Sequence, residues 1–102
     1  MATTDAKIYN GTLADAKATL YTVPASTTLY VKAVSICNWT AALQTVDLWF
    51  DGVMILFKLP MPAYSSITVP FFDQILDTGD LIEGNSNAAS KIDMYISGKL
   101  VT

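Results

Sequence analysis

Three stretches alternate apolar and polar residues with a period of two, and this limits the fold more than any other feature. Val46, Leu48 and Phe50 alternate with Thr45, Asp47 and Trp49. Ile67, Val69 and Phe71 alternate with Ser66, Thr68 and Pro70. Ile92, Met94, Ile96 and Leu100 alternate with Lys91, Asp93, Tyr95, Ser97 and Lys99, and Gly98 falls on the apolar parity. In a β-strand successive side chains point to opposite faces, so each stretch reads as a strand with one face buried. The expected core is therefore Val46, Leu48, Phe50, Ile67, Val69, Ile92, Met94 and Ile96. A glycine on the inward parity, as at Gly98, marks a bulge or a close backbone approach.

The remaining segments fit the same class. Leu29–Cys37 is apolar on both parities, which suits a central strand covered on both faces or one carrying a bulge. Val53–Phe57 has the same character. Thr19–Val23, Lys7–Leu13 and Leu81–Glu83 read as shorter strands. Asp51-Gly52 between two apolar runs signals a two-residue hairpin, because a type I′ turn needs positive φ at both positions. Pro24–Thr27, Pro60–Pro62 and Asn85–Ser90 read as loops. Thr12–Ala18 lacks an apolar stripe and reads as a loop or a single turn, and Phe72–Asp77 has room for another turn. Strands of this length with regular turn signals predict an all-β chain. The expected architecture is a single antiparallel β-sandwich domain over residues 1–102, jelly-roll-like, with about seven or eight strands.

Charge restricts the chemistry. Charged residues are 15% of the 102, against about 25% in an average domain. Six lysines face nine acids, with no arginine and no histidine. Without arginine or a basic run, the electrostatic footprint of a nucleic-acid binder is missing. Without histidine, every Ser-His or Cys-His nucleophile pair is excluded, and one cysteine leaves only carboxylates for a metal. No phosphate-cradling glycine motif occurs. Asp73, Asp77, Asp80 and Glu83 form the densest acidic stretch, and it reads as solvated turns rather than an ion site. The expectation is no enzyme, no cofactor and no metal. The single Cys37 ends an apolar run and reads as a small buried thiol. The polar N-terminus shows no secretory signal, and the most apolar window, Val53–Leu59, is far shorter than the roughly 20 residues of a membrane helix. Neither a membrane nor a nucleic acid is an expected partner. Asn38-Trp39-Thr40 and Asn10-Gly11-Thr12 match the glycosylation sequon by chance in a chain expected to be made in the cytoplasm.

A surface this poor in charge calls for cover by other subunits. Trp39 follows Asn38 in an expected loop, while Trp49 and Tyr95 lie on the outward parity of their strands. Together with Met61 and Tyr64 of the Met61–Tyr64 loop, they are the candidate interface residues, since aromatics anchor protein contacts. Stacking on a sugar is the competing role for the outward aromatics.

Five stretches carry a resemblance. Leu20–Ala25 leads into Val31–Asn38, and Thr45–Trp49 follows. Leu76–Ile82 and Ile92–Gly98 complete the set. This order resembles small β-sandwich virion proteins of tailed bacteriophages, among tail, neck and capsid-decoration components. The resemblance spans roughly residues 20–100 and rests on strands and turns. It implies a non-enzymatic structural component made in the host cytoplasm and carried in the virion. It also implies homo-oligomers, a trimer favoured, attached to other virion proteins. The alternative is the receptor- or carbohydrate-binding head of a phage fibre.

Overall fold

The computed structural model describes residues 2–70 and 74–102. Among the described residues nine strands run in chain order: β1 Thr3–Thr12, β2 Ala18–Thr22, β3 Thr28–Asn38, β4 Gln44–Phe50, β5 Val53–Met61, β6 Ser65–Val69, β7 Gln74–Leu76, β8 Leu81–Ser86 and β9 Ile92–Val101. One sheet has the order β1-β9-β3-β6, with β7 also paired to β3, and the other the order β2-β8-β4-β5. Every pairing is antiparallel. β6 pairs with Val34–Asn38 and β7 with Leu29–Val31, so the two lie end to end along β3. Taken as one interrupted strand, they give an eight-stranded, two-sheet jelly roll in which β1 to β4 alternate between sheets.

The alternating stretches of β4 and β9 turn their apolar parity inward. Val46, Leu48 and Phe50 of β4 meet Ile92, Met94 and Ile96 of β9 and Ile82 of β8 in one buried core. β3 supplies Leu29 and Val31, then Val34 and Ile36, all buried. The change of parity comes from a bulge, because Val31 faces Gly98 and Ala33 faces Ser97 on β9, leaving Lys32 without a pairing position. The extra residue flips the strand, which explains an apolar run on both parities. At the β4–β5 hairpin both Asp51 (φ 52°) and Gly52 (φ 73°) have the positive φ that a type I′ turn requires.

Gly98 is the close approach its parity suggests. A Cβ there would lie 2.8 Å from the carbonyl oxygen of Tyr30 and 2.8 Å from Leu29 Cδ1. The carbonyl belongs to the β3 backbone and cannot rotate away as a side chain can. Gly98→Ala should therefore destabilise by about 1–3 kcal/mol, the usual cost of overpacking. A urea melt checks this, and an unchanged midpoint would mean that β3 and β9 pack less closely than described.

Several expectations are corrected. Ile67 is 41% exposed and Val69 is half-buried. Both sit on β6, which has β3 on one side and, among the described residues, no strand on the other, so their parity is inward but their cover is incomplete. Of the two readings of Val53–Phe57 the bulged one holds, since the register with β4 shifts between Met54 and Leu56 and again between Leu56 and Leu59, but it is no central run. It belongs to β5, the edge strand of the second sheet, and Val53, Met54 and Phe57 are exposed. Pro60 and Met61 end β5 instead of forming a loop, as an edge strand can tolerate proline. Asn85 and Ser86 end β8, so the loop begins only at Asn87. The expected turn over Phe72–Asp77 holds β7 at Gln74–Leu76, whereas Phe71, Phe72 and Asp73 lie outside the described residues. No described helix is long and apolar enough to cross a membrane.

Candidate functional site

The loops 39–43, joining β3 to β4, and 62–64, joining β5 to β6, lie side by side at one end of the sandwich. The Tyr64 N–H donates to the carbonyl of Thr40 at 3.0 Å. Beneath them lies Asn38, the last residue of β3, with 0% exposure. Its Nδ2 donates to the carbonyls of Met61 (2.8 Å), Ala42 (2.9 Å) and Pro62 (3.1 Å). Its Oδ1 accepts from the N–H (3.0 Å) and hydroxyl (2.7 Å) of Thr40. Gln44 Nε2 extends the network to the Thr40 hydroxyl at 3.2 Å. One buried amide thus clamps both loops.

These loops present Trp39, Leu43 and Tyr64, all exposed. Tyr64 is 75% exposed and holds φ 55°, a left-handed conformation that costs a non-glycine residue roughly 1 kcal/mol or more. Met61, expected beside it at the surface, is instead buried in the core, because the last residue of β5 keeps the inward parity.

Trp49 and Tyr95 occupy opposite outer faces of the sandwich. Trp49 is half-buried. Lys17 Nζ sits 4.5 Å from its ring centroid and 3.9 Å from Glu83 Oε1. The lysine covers much of the ring the sequence leaves open, so Trp49 offers a smaller apolar surface than its parity suggests.

Tyr95 stands in a shallow groove of about 390 Å³ across the outer face of the first sheet. Two registered rows build its floor. Asn10, Tyr95, Ser35 and Thr68 form one, and Thr12, Asp93, Cys37 and Ser66 form the other. The Thr12 hydroxyl donates to Asp93 Oδ1 at 2.7 Å, and Ser35 and Thr68 share a 3.1 Å hydroxyl contact. Cys37 is half-buried here rather than fully buried, because it has the outward parity of β3 after the bulge. Burial, and then the charge of Asp93, raise the phenol pKa of Tyr9 above 10.0, so its hydroxyl stays neutral at physiological pH.

The acidic stretch is dispersed. Asp80 closes a turn by accepting the Asp77 N–H at 2.8 Å, and Glu83 faces Lys17 on β8. Asp73 is outside the described residues. Among the described residues no group of three His, Cys, Asp or Glu side chains is placed to hold a metal.

Neither Asn38 nor the groove stands out in the sequence. Asn38 had a signal, as a polar residue closing the inward parity set by Val34 and Ile36. The groove residues are ordinary polar residues of four separate strands, and only the strand order brings them together. No family model, curated protein or solved structure matches this chain.

Proposed function

We propose that this protein is a non-enzymatic structural component of a tailed-phage virion, acting through self-assembly and attachment to capsid, neck or tail. The phage setting rests on the sequence resemblance. The assembly role is carried by one observation: Trp39, Leu43 and Tyr64 project from two loops that the buried Asn38 holds in place. Free surface loops normally carry small polar residues, and fixed aromatic side chains are the anchors of protein contacts. The exposed Val53, Met54 and Phe57 of edge strand β5 add a second apolar surface. An edge strand left open in this way invites pairing unless a partner covers it.

Sedimentation velocity tests this reading. The wild-type chain should form a closed oligomer, a trimer favoured by the resemblance, at about 100 μM, where even micromolar contacts are populated. Tyr64→Lys should shift the distribution toward monomer without altering the thermal midpoint of the dilute monomer, in which the side chain it replaces is 75% exposed. A wild-type chain that stays monomeric at that concentration removes self-assembly and leaves attachment to another virion protein.

The second reading, a receptor- or carbohydrate-binding head module of a fibre, is favoured by the groove around Tyr95.

A further inference from the structure

We propose that the groove on the outer face of the β1-β9-β3-β6 sheet binds a neutral pyranose, stacked on Tyr95 and hydrogen-bonded by Asp93 and the surrounding hydroxyls. This deepens the fibre-head reading and is independent of the loop surface at the end of the sandwich.

The groove's chemistry selects the ligand class. Tyr95 and Asp93 are alternate residues on one face of β9, both exposed. Alternate residues on a strand stand about 7 Å apart, which spans a sugar ring. A ring resting on Tyr95 would therefore place its hydroxyls over Asp93. The face of an aromatic ring carries the negative part of its quadrupole, to which the C–H face of a pyranose is complementary. A carboxylate only accepts hydrogen bonds, and Oδ1 of Asp93 already takes the Thr12 hydroxyl. Oδ2 stays available for a hydroxyl donor. The Ser66 hydroxyl and the amide of Asn10 can donate and accept, the Thr12 oxygen can still accept, and one hydroxyl of the Ser35–Thr68 pair keeps its proton to donate, a mixture that matches a polyol better than a purely donating or accepting ligand.

The same residues argue against other occupants. No lysine lines the groove, and Asp93 supplies its charge. A phosphate, a sialic acid or a nucleic acid would meet repulsion with no cation to offset it. An apolar segment of another chain would strip water from these hydroxyls and the carboxylate without replacing their hydrogen bonds. The volume, about 390 Å³, lies at the lower end of the roughly 300–1,000 Å³ of small-ligand clefts, so the site suits one or two rings rather than a long chain.

The test is a two-dimensional ¹H–¹⁵N NMR titration of the full chain. The probes are the methyl pyranosides of glucose, galactose and mannose, N-acetylglucosamine, and their disaccharides. The expected result is saturable, millimolar binding of at least one sugar. The shifts should centre on the amides of Asn10, Thr12, Ser35, Asp93 and Tyr95. Tyr95→Ala should weaken this binding by about tenfold or more, equivalent to about 1.4 kcal/mol. Asp93→Asn should weaken it too, while Tyr64→Ala should leave it unchanged. Tyr95 is exposed, so its alanine variant should keep the wild-type melting temperature, and a folded variant with unaltered sugar affinity overturns the proposal. Binding that maps elsewhere overturns the groove and leaves the fibre-head reading standing. No shift with any sugar overturns the groove and the carbohydrate form of that reading. Groove amides that move on protein dilution but not with sugar assign the face to contacts between copies, which also overturns the proposal.

Discussion

Asn38→Asp should be among the most destabilising single substitutions in this protein, despite changing only an NH₂ group into an oxygen. The wild-type Nδ2 donates to three carbonyls, those of Met61, Ala42 and Pro62, at a site with no solvent exposure. A carboxylate there would point a negative oxygen at three acceptors and have no proton to offer. The expected cost is about 3–5 kcal/mol at neutral pH, the range for leaving a buried charge uncompensated. Domains of this kind have about 5–15 kcal/mol in total, so the variant should fold but melt early. The sign of its pH dependence is fixed by the same contacts. Burial and the facing carbonyls raise the pKa of the introduced carboxyl in the folded state above its unfolded value of about 3.9. The folded variant then binds a proton more readily than the unfolded chain. Its stability relative to wild type is greatest below that unfolded pKa and is lost as pH rises through the folded pKa. Urea melts of both proteins at about pH 7 and about pH 4 should show the gap narrowing in acid. Equal midpoints at neutral pH would show that the amide does not hold the two loops. Asn38→Ala, which removes the donors without adding a charge, should fall between aspartate and wild type.

The parity of side chains was legible on two strands that each lie between two others. β4 and β9 are such strands, and the core residues expected on them, Val46, Leu48, Phe50, Ile92, Met94 and Ile96, are all buried, while Leu100 near the end of β9 is half-buried. Parity was an incomplete guide at the edges. Among the described residues Ile67 has the right phase on β6 but no strand beyond it, and Val53–Phe57 carries an apolar composition on a strand with only one neighbour. Composition records which residues are apolar, whereas cover depends on strand order, and strand order is a long-range property that local pattern does not encode. Two bulge signals were legible for a physical reason. Apolar residues on both parities of β3 and a glycine on the inward parity of β9 meet at one place, where Val31 pairs with Gly98 and Lys32 is the inserted residue.

The candidate site divides along the same line. Trp39, Tyr64 and Tyr95 are exposed, as loop position and outward parity suggest. Met61 is not, because β5 continues through Pro60 to Met61 and keeps the inward parity there. Trp49 has the expected phase, but Lys17 arrives over its ring from the β1–β2 loop, a meeting that no sequence spacing announces. The groove around Tyr95 needs β1, β9, β3 and β6 side by side, an order in which no two neighbours are consecutive in the chain. Its residues are unremarkable one at a time and become a site only through that topology.

Phe50→Ala and Phe57→Ala should differ by several kcal/mol, although both remove a phenyl ring from the same β-hairpin. Phe50 is 5% exposed and ends β4, in register with Ile82 of β8 and Val53 of β5. Removing its ring takes away the transfer free energy of the lost atoms and leaves a cavity that its β-sheet neighbours cannot close by moving their backbones. The expected cost is about 3–5 kcal/mol. Phe57 is 67% exposed on the outer edge of the same sheet, beside the bulge at Lys58, whose N–H is held by Asp47 Oδ1 at 2.7 Å. Its ring gains little from the folded state of a single chain, so its alanine variant should stay within about 0.5 kcal/mol of wild type in a dilute urea melt. Concentration then separates folding from assembly. If β5 is covered by another copy, Phe57→Ala should lower the melting temperature at high protein concentration while leaving the dilute value unchanged, because a bound partner stabilises only the folded state. Phe50→Ala should destabilise equally at both concentrations. A dilute-solution loss at Phe57 as large as that at Phe50 would mean that the hairpin packs both rings inside one subunit, and that the edge of the second sheet is not open.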